Sequence, residues 1–484
     1  PRRSALAPHA LFGLHRGKVE TDRNAEGAAM AGSARKRIWG WYFFDWASQP
    51  YNTLLLTFIF GPYFAEIARG YYLGQGMDAE AAGAAAQSYW GFGLAIASIL
   101  IAIFAPILGA IADGTGRRLI WVWFFSAVYI VSAWALWYVA PGGEIGTLRW
   151  AMFFFGLAFL SMEFATIFTN ALMPSLSEGD DLGKISGSGF AFGYLGGLIA
   201  LFIMLLFFAE GGSGTTLLGQ DPAFGLDPEA REGTRAVGPF SALWYLVFML
   251  PFVLWVKEPK VPAGRVHLGA AMTSVGDFIR GLRFRRSLAA YLGSSLFYRD
   301  ALNGLYTFGG IYASNVLGWE VKQIGIFGIV SGATAVLTSW AAGKLDTQRG
   351  PKPVIFWSIV VLLVVCTIVV GMDREQIWGV PLDSASSTPD IIFFICGALI
   401  GGAGGPLQSS SRTMLLRHTT PERATEAFGM FALSGKVASF LTPGLIAVAT
   451  WFSQSARIGI APVILLFLIA LILLLWVNPK GERG

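Results

Sequence analysis

The sequence is poor in charged residues, cysteine and histidine, and each shortage excludes a class of protein. Lys, Arg, Asp and Glu make up 13% of the 484 residues, about half the share of about 25% that soluble domains carry. The two cysteines and four histidines follow no metal-ligand spacing, so we expect no metal site. Cys366 and Cys396 both fall in apolar segments, where we expect them to pack as small hydrophobic side chains rather than form a disulfide.

Catalytic motifs are missing as well. The sequence contains no His-Glu-x-x-His, no Gly-x-Ser-x-Gly and no phosphate-binding loop, which are the signatures of common hydrolases and nucleotide enzymes. We therefore expect neither an enzyme nor a cofactor. The formal net charge of +5 would suit a nucleic-acid partner, but the basic residues lie in short loops between apolar segments, which is typical of membrane proteins. The expected partners are the lipid bilayer and a small-molecule substrate, with protons as a candidate coupling ion, and no nucleic acid.

Long apolar segments are what the sequence has in abundance. Hydrophobic residues make up 54% of the chain, and a membrane-spanning helix needs about 20 consecutive, mostly apolar residues. The chain is therefore predicted to be an all-α membrane protein with twelve transmembrane helices. The predicted helices 1 to 12 cover about 39–67, 88–112, 119–140, 150–174, 187–209, 239–256, 288–313, 323–343, 353–371, 390–412, 427–450 and 458–478.

A basic break divides the twelve helices into two groups of six. Two matched groups are typical of transporters built from parallel repeats, in which the substrate site lies near the middle of the membrane between the halves. We expect the end of the break to form a basic amphipathic helix on the membrane surface. The predicted divisions are a disordered cytoplasmic tail (1–37), a first six-helix bundle (38–256), the basic cytoplasmic linker (257–287), a second six-helix bundle (288–478) and a cytoplasmic tail (479–484).

The distribution of basic residues predicts the orientation in the membrane. Of the 35 Lys and Arg residues, seven fall in loops assigned to the outside, two lie deep within predicted spans, and the remaining 26 fall on the other side. Because basic loops stay in the cytoplasm, both termini are predicted to be cytoplasmic. The expected location is a bacterial inner (plasma) membrane, with the protein acting as a monomer.

The tight connection between helices 2 and 3 carries the most specific motif. It runs from Gly109 through Asp113 and Gly116 to Arg117 and Arg118. The glycines permit a sharp reversal, and the arginines mark the cytoplasmic face. Residue types, spacing and flanking helices together resemble the signature of the major facilitator superfamily, with a weaker second copy around Asp346. An ordinary charged turn is the alternative. The resemblance implies two bundles related by pseudo-two-fold symmetry and a cytoplasmic gate, for which the candidate residues are Gly109, Asp113, Gly116, Arg117, Arg118, Asp346 and Arg412.

We make two specific predictions for this gate. Asp113 is expected at the cytoplasmic start of helix 11, because exposed backbone N–H groups at a helix start attract an anion. Arg117 is expected to pair with Asp113.

Helices 1 and 7 carry related runs of polar residues. Charged groups within a span are costly and normally face a cavity or a partner. Asp300 is about 13 residues into helix 7, roughly 20 Å deep at 1.5 Å per residue. Asp45 is nearer the helix end, and the alternative for it is a cap or a pair with a loop arginine. The predicted substrate-binding residues on these two helices are Asp45, Gln49, Asn52, Arg299, Asp300, Asn303 and Tyr306.

Further candidates lie on helices 4, 5, 10 and 11. Tyr194, Gln408 and Lys436 are predicted to bind substrate. Lys436 lies about ten residues, or about 15 Å, into helix 11 and needs an acidic partner, for which we expect Asp300 first and Glu163 second. The candidate proton carriers are Glu163, Asp300 and Asp45, although Glu163 could equally be a hydrogen-bonded packing residue.

Glycines repeat every fourth residue on helix 5. Gly189, Gly193 and Gly197 form one face that allows another helix to approach closely. We expect this face to serve helix packing, and the rocking of the two halves to use the contact.

The polar motifs together resemble a particular branch of the superfamily. Asp45 in helix 1, Tyr298 and Asp300 in helix 7, Gln408 and Arg412 in helix 10, and the run from Phe428 to Lys436 in helix 11 are similar to the autophagy-related vacuolar effluxer family. The resemblance covers helices 1 to 12 and implies solute export or uptake by alternating access, with amino acids as a candidate substrate class. Arg299 and Ala301 depart from the family pattern.

The leading hypothesis is therefore a secondary active transporter of a small polar or zwitterionic solute. Arg299 and Lys436 would hold a carboxylate, and Asp45 or Asp300 an amine. Two alternatives stay open. One is a carrier of amphiphilic or lipid-like compounds, which the 38 Phe and 17 Trp residues would suit. The other is a non-transporting membrane assembly factor on a facilitator scaffold.

Overall fold

The structure is a computed structural model that describes residues 34–177, 181–211, 214–258, 268–319, 321–383, 386–437, 441–453 and 455–482. The greater part of the predicted N-terminal tail, the middle of the predicted linker and the last two residues of the C-terminal tail lie outside the described residues. The described chain is almost entirely helical, as the sequence predicts.

Each predicted span corresponds to one helical element, which we label α1 to α12. α1 runs from 34 to 74 in three pieces, and α6 and α11 each consist of two pieces. The other bounds are Ala79–Thr115 (α2), Arg118–Ala135 (α3), Ile145–Asn170 (α4), Leu182–Phe207 (α5), Val237–Phe248 and Leu250–Trp255 (α6), Arg286–Leu317 (α7), Val321–Arg349 (α8), Pro351–Val370 (α9), Thr388–Arg417 (α10), Ala424–Val437 and Leu441–Ser453 (α11), and Ala461–Leu475 (α12).

Ten of these helices are long and apolar enough to cross a membrane, counting only the described residues. The two that fall short of that test, α1 and α7, are the ones whose polar runs the sequence singled out. α7 is 32 residues long, about 48 Å at 1.5 Å per residue, so its length suffices. Its polarity is therefore a local property of a spanning helix, as expected for a helix that faces a cavity or partner.

α1 is interrupted in the middle. Residues 34–50 are α-helical, Tyr51–Phe58 form a π-helix, and Phe60–Gly74 resume the α-helix after Ile59. Pro50 stands just before the π-helix, where proline removes a backbone donor from the α-helical ladder. π-Helical turns are rare and often occur at functional sites.

The two six-helix halves meet through two equivalent helix pairs, α2 with α11 and α5 with α8. In the first pair, a Cβ atom added to Gly109 would lie 2.7 Å from the Thr425 carbonyl oxygen. In the second, a Cβ atom at Gly187 would lie 2.5 Å from the Cα atom of Gly343. Only glycine permits such backbone approaches. Both contacts lie at the same end of the molecule, because α2 and α8 each end there in a signature motif.

We call this end the basic end. It contains the connections between α2 and α3, α8 and α9, and α10 and α11, at residues 115–118, 349–351 and 417–424.

The glycine face of α5 packs within its own half, which corrects one expectation. Cβ atoms at Gly189, Gly193 and Gly197 would meet side-chain or backbone atoms of Asp45 and Gln49 on α1. Close approach at every fourth residue was therefore predicted rightly, but the partner is α1. A contact between the halves is made instead by Gly187 against α8.

Further elements lie outside the spans, among them short helices at Glu232–Arg235 and Ala456–Gly459. The predicted amphipathic helix of the linker is present as Leu268–Gly281 (the linker helix), and it buries Ala271 and Phe278. Between α9 and α10, β1 (Gln376–Ile377) and β2 (Val380–Pro381) form a short antiparallel hairpin with Gln376 opposite Pro381.

Candidate functional site

The sequence-predicted residues fall into three layers between the halves, counted from the basic end inwards. The outermost layer is formed by Asp113 and Asp346 with their partners. The second is the Asp45–Arg412 ion pair. The third, deeper layer contains Glu163, Lys436 and Arg299.

Asp113 joins the end of α2 to the start of α11. One carboxylate oxygen accepts hydrogen bonds from the Thr425 hydroxyl at 2.5 Å and from its backbone N–H at 3.3 Å. The other accepts from the Glu426 backbone N–H at 2.8 Å. These N–H groups belong to the first turn of the helix Ala424–Val437, where a negative charge is favoured. Asp113 therefore contacts the start of α11, as the sequence predicts.

The arginine that pairs with Asp113 is Arg118, not the predicted Arg117. The Arg118 guanidinium donates to Asp113 at 2.7 and 3.0 Å and also to the Pro421 carbonyl oxygen at 2.7 Å. Gly116 adopts a left-handed conformation with φ +63°, which turns the chain so that Arg117 is exposed and Arg118 begins α3. Spacing along the sequence could not distinguish the two neighbours.

Asp346 occupies the equivalent place in the second half. Its carboxylate accepts a hydrogen bond from the Thr413 hydroxyl at 2.6 Å and lies against Gly183 in the first turn of α5. The next residue, Thr347, accepts from the Lys184 backbone N–H at 3.0 Å. Both signature acids therefore lie at the N-terminal turn of a helix from the opposite half.

Asp45 and Arg412 form a buried ion pair across the halves. The guanidinium donates two hydrogen bonds to the two carboxylate oxygens, at 2.9 and 3.2 Å, in the bidentate arrangement that arginine favours. Only 9% of the Asp45 side chain and 10% of the Arg412 side chain are exposed. Arg412 also lies 3.9 Å from the Phe190 ring centroid, so α10 is held to α1 and α5 together.

A polar contact follows one turn deeper on α10. The Gln408 side-chain amide donates to the Tyr194 hydroxyl at 3.0 Å, and a Cβ atom added to Gly404, one turn away on α10, would lie 2.1 Å from the Tyr306 hydroxyl. These three predicted residues, from α5, α7 and α10, are thus brought together.

The deepest layer contains a second ion pair between the halves. Lys436 on α11 donates to Glu163 on α4 at 3.0 Å, and its ammonium lies 4.4 Å from the Phe159 ring centroid. The lysine side chain is 17% exposed and the glutamate 30%. This pair is therefore more open than the Asp45–Arg412 pair.

Asp300, the first predicted partner of Lys436, is engaged elsewhere. Its carboxylate accepts from the backbone N–H and the hydroxyl of Thr442, at 2.8 and 2.6 Å. Thr442 stands at the start of the helix Leu441–Ser453, so Asp300 stabilises that helix start within its own half. Glu163, the second predicted acid, is the one hydrogen-bonded to Lys436.

Arg299 lies against α11 at Gly435, one residue before Lys436 in the sequence. It donates to the Phe431 carbonyl oxygen at 2.7 Å and lies 4.0 Å from the centroid of the Phe431 ring. A Cβ atom at Gly435, the neighbour of Lys436, would lie 2.7 Å from the guanidinium. Arg299 therefore packs on the Phe431–Gly435 face of α11, whereas Lys436 on the adjoining face meets Glu163.

The remaining predicted residues lie outside these layers. The Gln49 side chain packs against Gly197, whereas Asn52 and Asn303 are exposed. Sequence reasoning missed the aromatic residues of the site. Trp41 and Phe190 lie near Arg412, and Tyr51, Phe159 and Phe431 surround the deeper charges. Among 38 Phe residues, no sequence signal marks these.

Comparisons with known proteins agree with this architecture. Residues 33–483 match the model of the family described as vacuole effluxer Atg22 like. The chain belongs to this family. A relative, the uncharacterized MFS-type transporter YxiO of Bacillus subtilis, is 25% identical over 442 residues, covering 90% of this chain and 94% of YxiO. Autophagy-related protein 22 of Cryptococcus neoformans is 20% identical over 57% of this chain, which spans about half, 47%, of that longer protein.

Solved structures of major facilitator transporters share the fold. The proton:xylose symporter XylE superposes with a TM-score of 0.68 at 11% identity, covering 94% of this chain and 98% of XylE. A bacterial homologue of the iron transporter ferroportin, in its outward-facing state, superposes with a TM-score of 0.61 at 14% identity, covering 92% and 99%. The chain is an integral membrane protein with the major facilitator fold, and its relatives are transporters rather than enzymes.

Proposed function

We propose that this protein is a secondary active transporter that moves a small polar or zwitterionic solute by alternating access. The observation that carries the proposal is the position of the polar contacts between the halves. Asp113, Asp346 and the Asp45–Arg412 pair all close the basic end, while a separate set of charged and aromatic residues lies deeper. A gate in front of a binding site is what alternating access requires.

We propose that the basic end faces the cytoplasm of a bacterial cell, in its inner (plasma) membrane. The excess of Lys and Arg at this end supports the orientation, and the bacterial relative YxiO supports the compartment. The two predicted bundles, 38–256 and 288–478, would move as bodies against each other, and the protein would act as a monomer.

Cysteine labelling tests the orientation. Phe224 is 90% exposed in the loop before α6, and Phe284 is 75% exposed after the linker helix. A membrane-impermeant maleimide added to intact cells is expected to label Phe224→Cys and not Phe284→Cys, and lysis is expected to make both reactive. Cys366 and Cys396 are buried, so the parent protein serves as the unlabelled control. Labelling of both variants in intact cells would contradict the proposed topology.

The gate itself is tested by Asp113→Asn. The change keeps a hydrogen-bond acceptor but removes the charge that attracts Arg118 and the first turn of α11. An N-terminal charge and one ion pair are together worth about 0.5–2 kcal/mol, so we expect the basic end to open about 2- to 30-fold more often. The protein should still insert and fold.

The readout is the labelling rate of Gln408→Cys from the cytoplasmic side, because Gln408 lies one turn beyond Arg412. Arg117→Gln is the matched control, since Arg117 is exposed, and it should leave the rate unchanged. Equal rates for Asp113→Asn and the parent would show that the motif does not hold the gate.

Transport is the decisive assay for the function. Purified protein in liposomes should show counterflow of a labelled solute, first tested with a panel of amino acids and small organic acids. A pH gradient tests coupling to protons, for which Glu163 is the best-placed carrier because its side chain is 30% exposed, whereas Asp45 and Asp300 are buried. Absence of counterflow for every solute, with the protein folded, would favour a non-transporting role.

A further inference from the structure

We propose that the linker helix binds anionic phospholipid headgroups and, when bound, holds the basic end closed. One flank of the helix meets the membrane surface, and another face stays docked across the two halves. This inference rests on the proposed gate at the basic end and names the lipid composition of the membrane as its regulator.

The linker helix contacts both halves at the basic end. It packs on α2 of the first half, and its Ser274 hydroxyl donates to the Glu426 carboxylate on α11 of the second half at 3.0 Å. The Glu426 backbone N–H is the group that donates to Asp113 at 2.8 Å. The helix is therefore joined to the gate through Glu426. Because α2 and α11 separate when the basic end opens, opening must break one of the two contacts of the linker helix.

The docked face of the linker helix is well packed. Phe278 is buried, and the Arg423 guanidinium lies 5.9 Å from its ring centroid. Arg423 in turn donates to the buried Glu426 carboxylate at 2.8 Å. Ala271 is buried as well, and it lies on the same face as Phe278 because seven residues make about two helical turns. These contacts fix how the helix is turned about its own axis.

An apolar flank of the same helix stays uncovered. Met272 and Ile279 are 58% and 50% exposed, and they lie on one side of the helix. Successive residues are about 100° apart, which puts this flank roughly a quarter turn away from Ala271 and Phe278. The neighbouring helix α2 exposes large apolar side chains such as Ile103 within its span, as a lipid-facing surface does. The flank therefore continues a lipid-facing surface and suits the boundary between headgroups and hydrocarbon.

Exposed arginines accompany this flank. Arg280, Arg283 and Arg286 are all exposed at the basic end. The one acidic residue in 268–286 is Asp277, which lies 3.5 Å from Arg280 in a surface pair of little energetic weight. Arginines beside a membrane attract anionic headgroups. Their combination with exposed apolar side chains favours a membrane surface over an acidic protein segment.

Lipid binding and docking use different faces of the helix. While Ser274 and Phe278 hold the gate, the apolar flank and the arginines are already exposed, so a lipid surface can bind without displacing a contact to the gate. A ligand shifts an equilibrium only by the difference between its affinities for the two states. Docking orients the helix in advance, which lowers the cost of binding lipid. Anionic lipid is therefore expected to favour the closed state.

The ratio of open to closed protein is measured by double electron–electron resonance between spin labels at Gly114→Cys and Glu422→Cys, which are exposed at the ends of α2 and α11. The full-length chain carries Cys366→Ala/Cys396→Ala and also Arg412→Gln, which is expected to make the longer, open distance prominent. It is placed in nanodiscs of phosphatidylcholine alone or of an equal mixture with phosphatidylglycerol. We expect the anionic lipid to lower the ratio at least about fivefold, since each arginine near an anionic surface adds to the attraction.

Matched variants separate the linker helix from the charge of the basic end as a whole. The lipid effect should disappear in Arg280→Gln/Arg283→Gln/Arg286→Gln. It should persist in a control that removes three exposed basic residues of the same end outside the linker, Lys36→Gln/Arg349→Gln/Lys480→Gln. Salt at about 1 M should also remove the effect, because the Debye length is then about 3 Å. An equal ratio in the two lipids, a higher ratio in the anionic lipid, or loss of the effect in both variants would overturn the inference.

Nitroxide accessibility tests the membrane contact independently of the gate. In the anionic nanodiscs, a label at Ile279→Cys should be reached by dissolved oxygen and shielded from a water-soluble nickel chelate. A label at Thr273→Cys, an exposed position on the polar side of the helix, should show the reverse. Equal access of the chelate to both labels would show that the flank faces water, where a protein partner would have to cover it, and would refute the lipid site.

The two proposals can fail separately. If Arg412→Gln shows no longer distance in either lipid, the proposed gate fails, and this inference fails with it. A longer distance that ignores the lipid refutes the lipid control and leaves the gate standing.

Discussion

Replacing Arg412 by glutamine is expected to open the basic end and to abolish effective transport. The change leaves the Asp45 carboxylate with 9% exposure and without the guanidinium that donates to both of its oxygens. Removing one partner of a buried ion pair costs about 3–5 kcal/mol. That cost falls on the closed state, in which the halves meet. The ratio of open to closed protein therefore rises by a factor of more than about 100.

The measurement is again the cytoplasmic labelling rate of Gln408→Cys, together with counterflow. The rate should rise at least about tenfold, and counterflow should fall by a similar factor or more. Arg417→Gln is the matched control, since Arg417 at the end of α10 donates to the Pro479 carbonyl oxygen in the same half. The double variant Asp45→Asn/Arg412→Gln should label more slowly than either single variant, because it leaves no buried charge. If the effects of the two single variants on the labelling rate are additive, the ion pair does not hold the basic end closed.

Replacing Lys436 by methionine is expected to reduce transport about 30-fold or more. The pair with Glu163 lies between the extremes of an exposed ion pair, worth about 0–1 kcal/mol, and a buried one, whose breakage costs about 3–5 kcal/mol. About 2 kcal/mol corresponds to a factor of about 30 in rate. Thermal stability should fall as well, because the Glu163 carboxyl loses the ammonium that donates a hydrogen bond to it.

A double-mutant cycle separates stability from transport. Glu163→Gln/Lys436→Met should regain much of the lost thermal stability while transport stays low, because neither charged group of the pair remains. The equivalent cycle with Asp300→Asn should be additive, since Asp300 is bonded to Thr442. Strong coupling of Lys436 to Asp300 instead of Glu163 would contradict the described geometry.

The sequence predicted the helices well because hydropathy and length set them independently of packing. It also placed Asp113 at the start of α11, since the signature motif and the helix dipole specify that contact. It was harder to predict which charged residues pair with each other. Successive residues on an α-helix point about 100° apart, so Arg299 and Asp300 reach different surroundings although they share the same depth. Depth can be read from a sequence, whereas the direction of a side chain around its helix depends on how the helices pack.

The same reason explains the other misses. Arg117 and Arg118 differ by one position, and the left-handed turn at Gly116 decides which one reaches Asp113. The glycine face of α5 predicted a close helix neighbour, but periodicity does not say which helix. The aromatic residues Phe159 and Phe431 are defined as site residues only by the cations that lie over them.

The central claim is that contacts at the basic end close one face of a transporter that can also open there. Spin labels at Gly114→Cys and Glu422→Cys, which are exposed at the ends of α2 and α11, report this movement by double electron–electron resonance. In Cys366→Ala/Cys396→Ala protein, we expect a short distance to dominate and a second, longer distance to become dominant in Arg412→Gln. A single unchanged distance in both proteins would contradict the account.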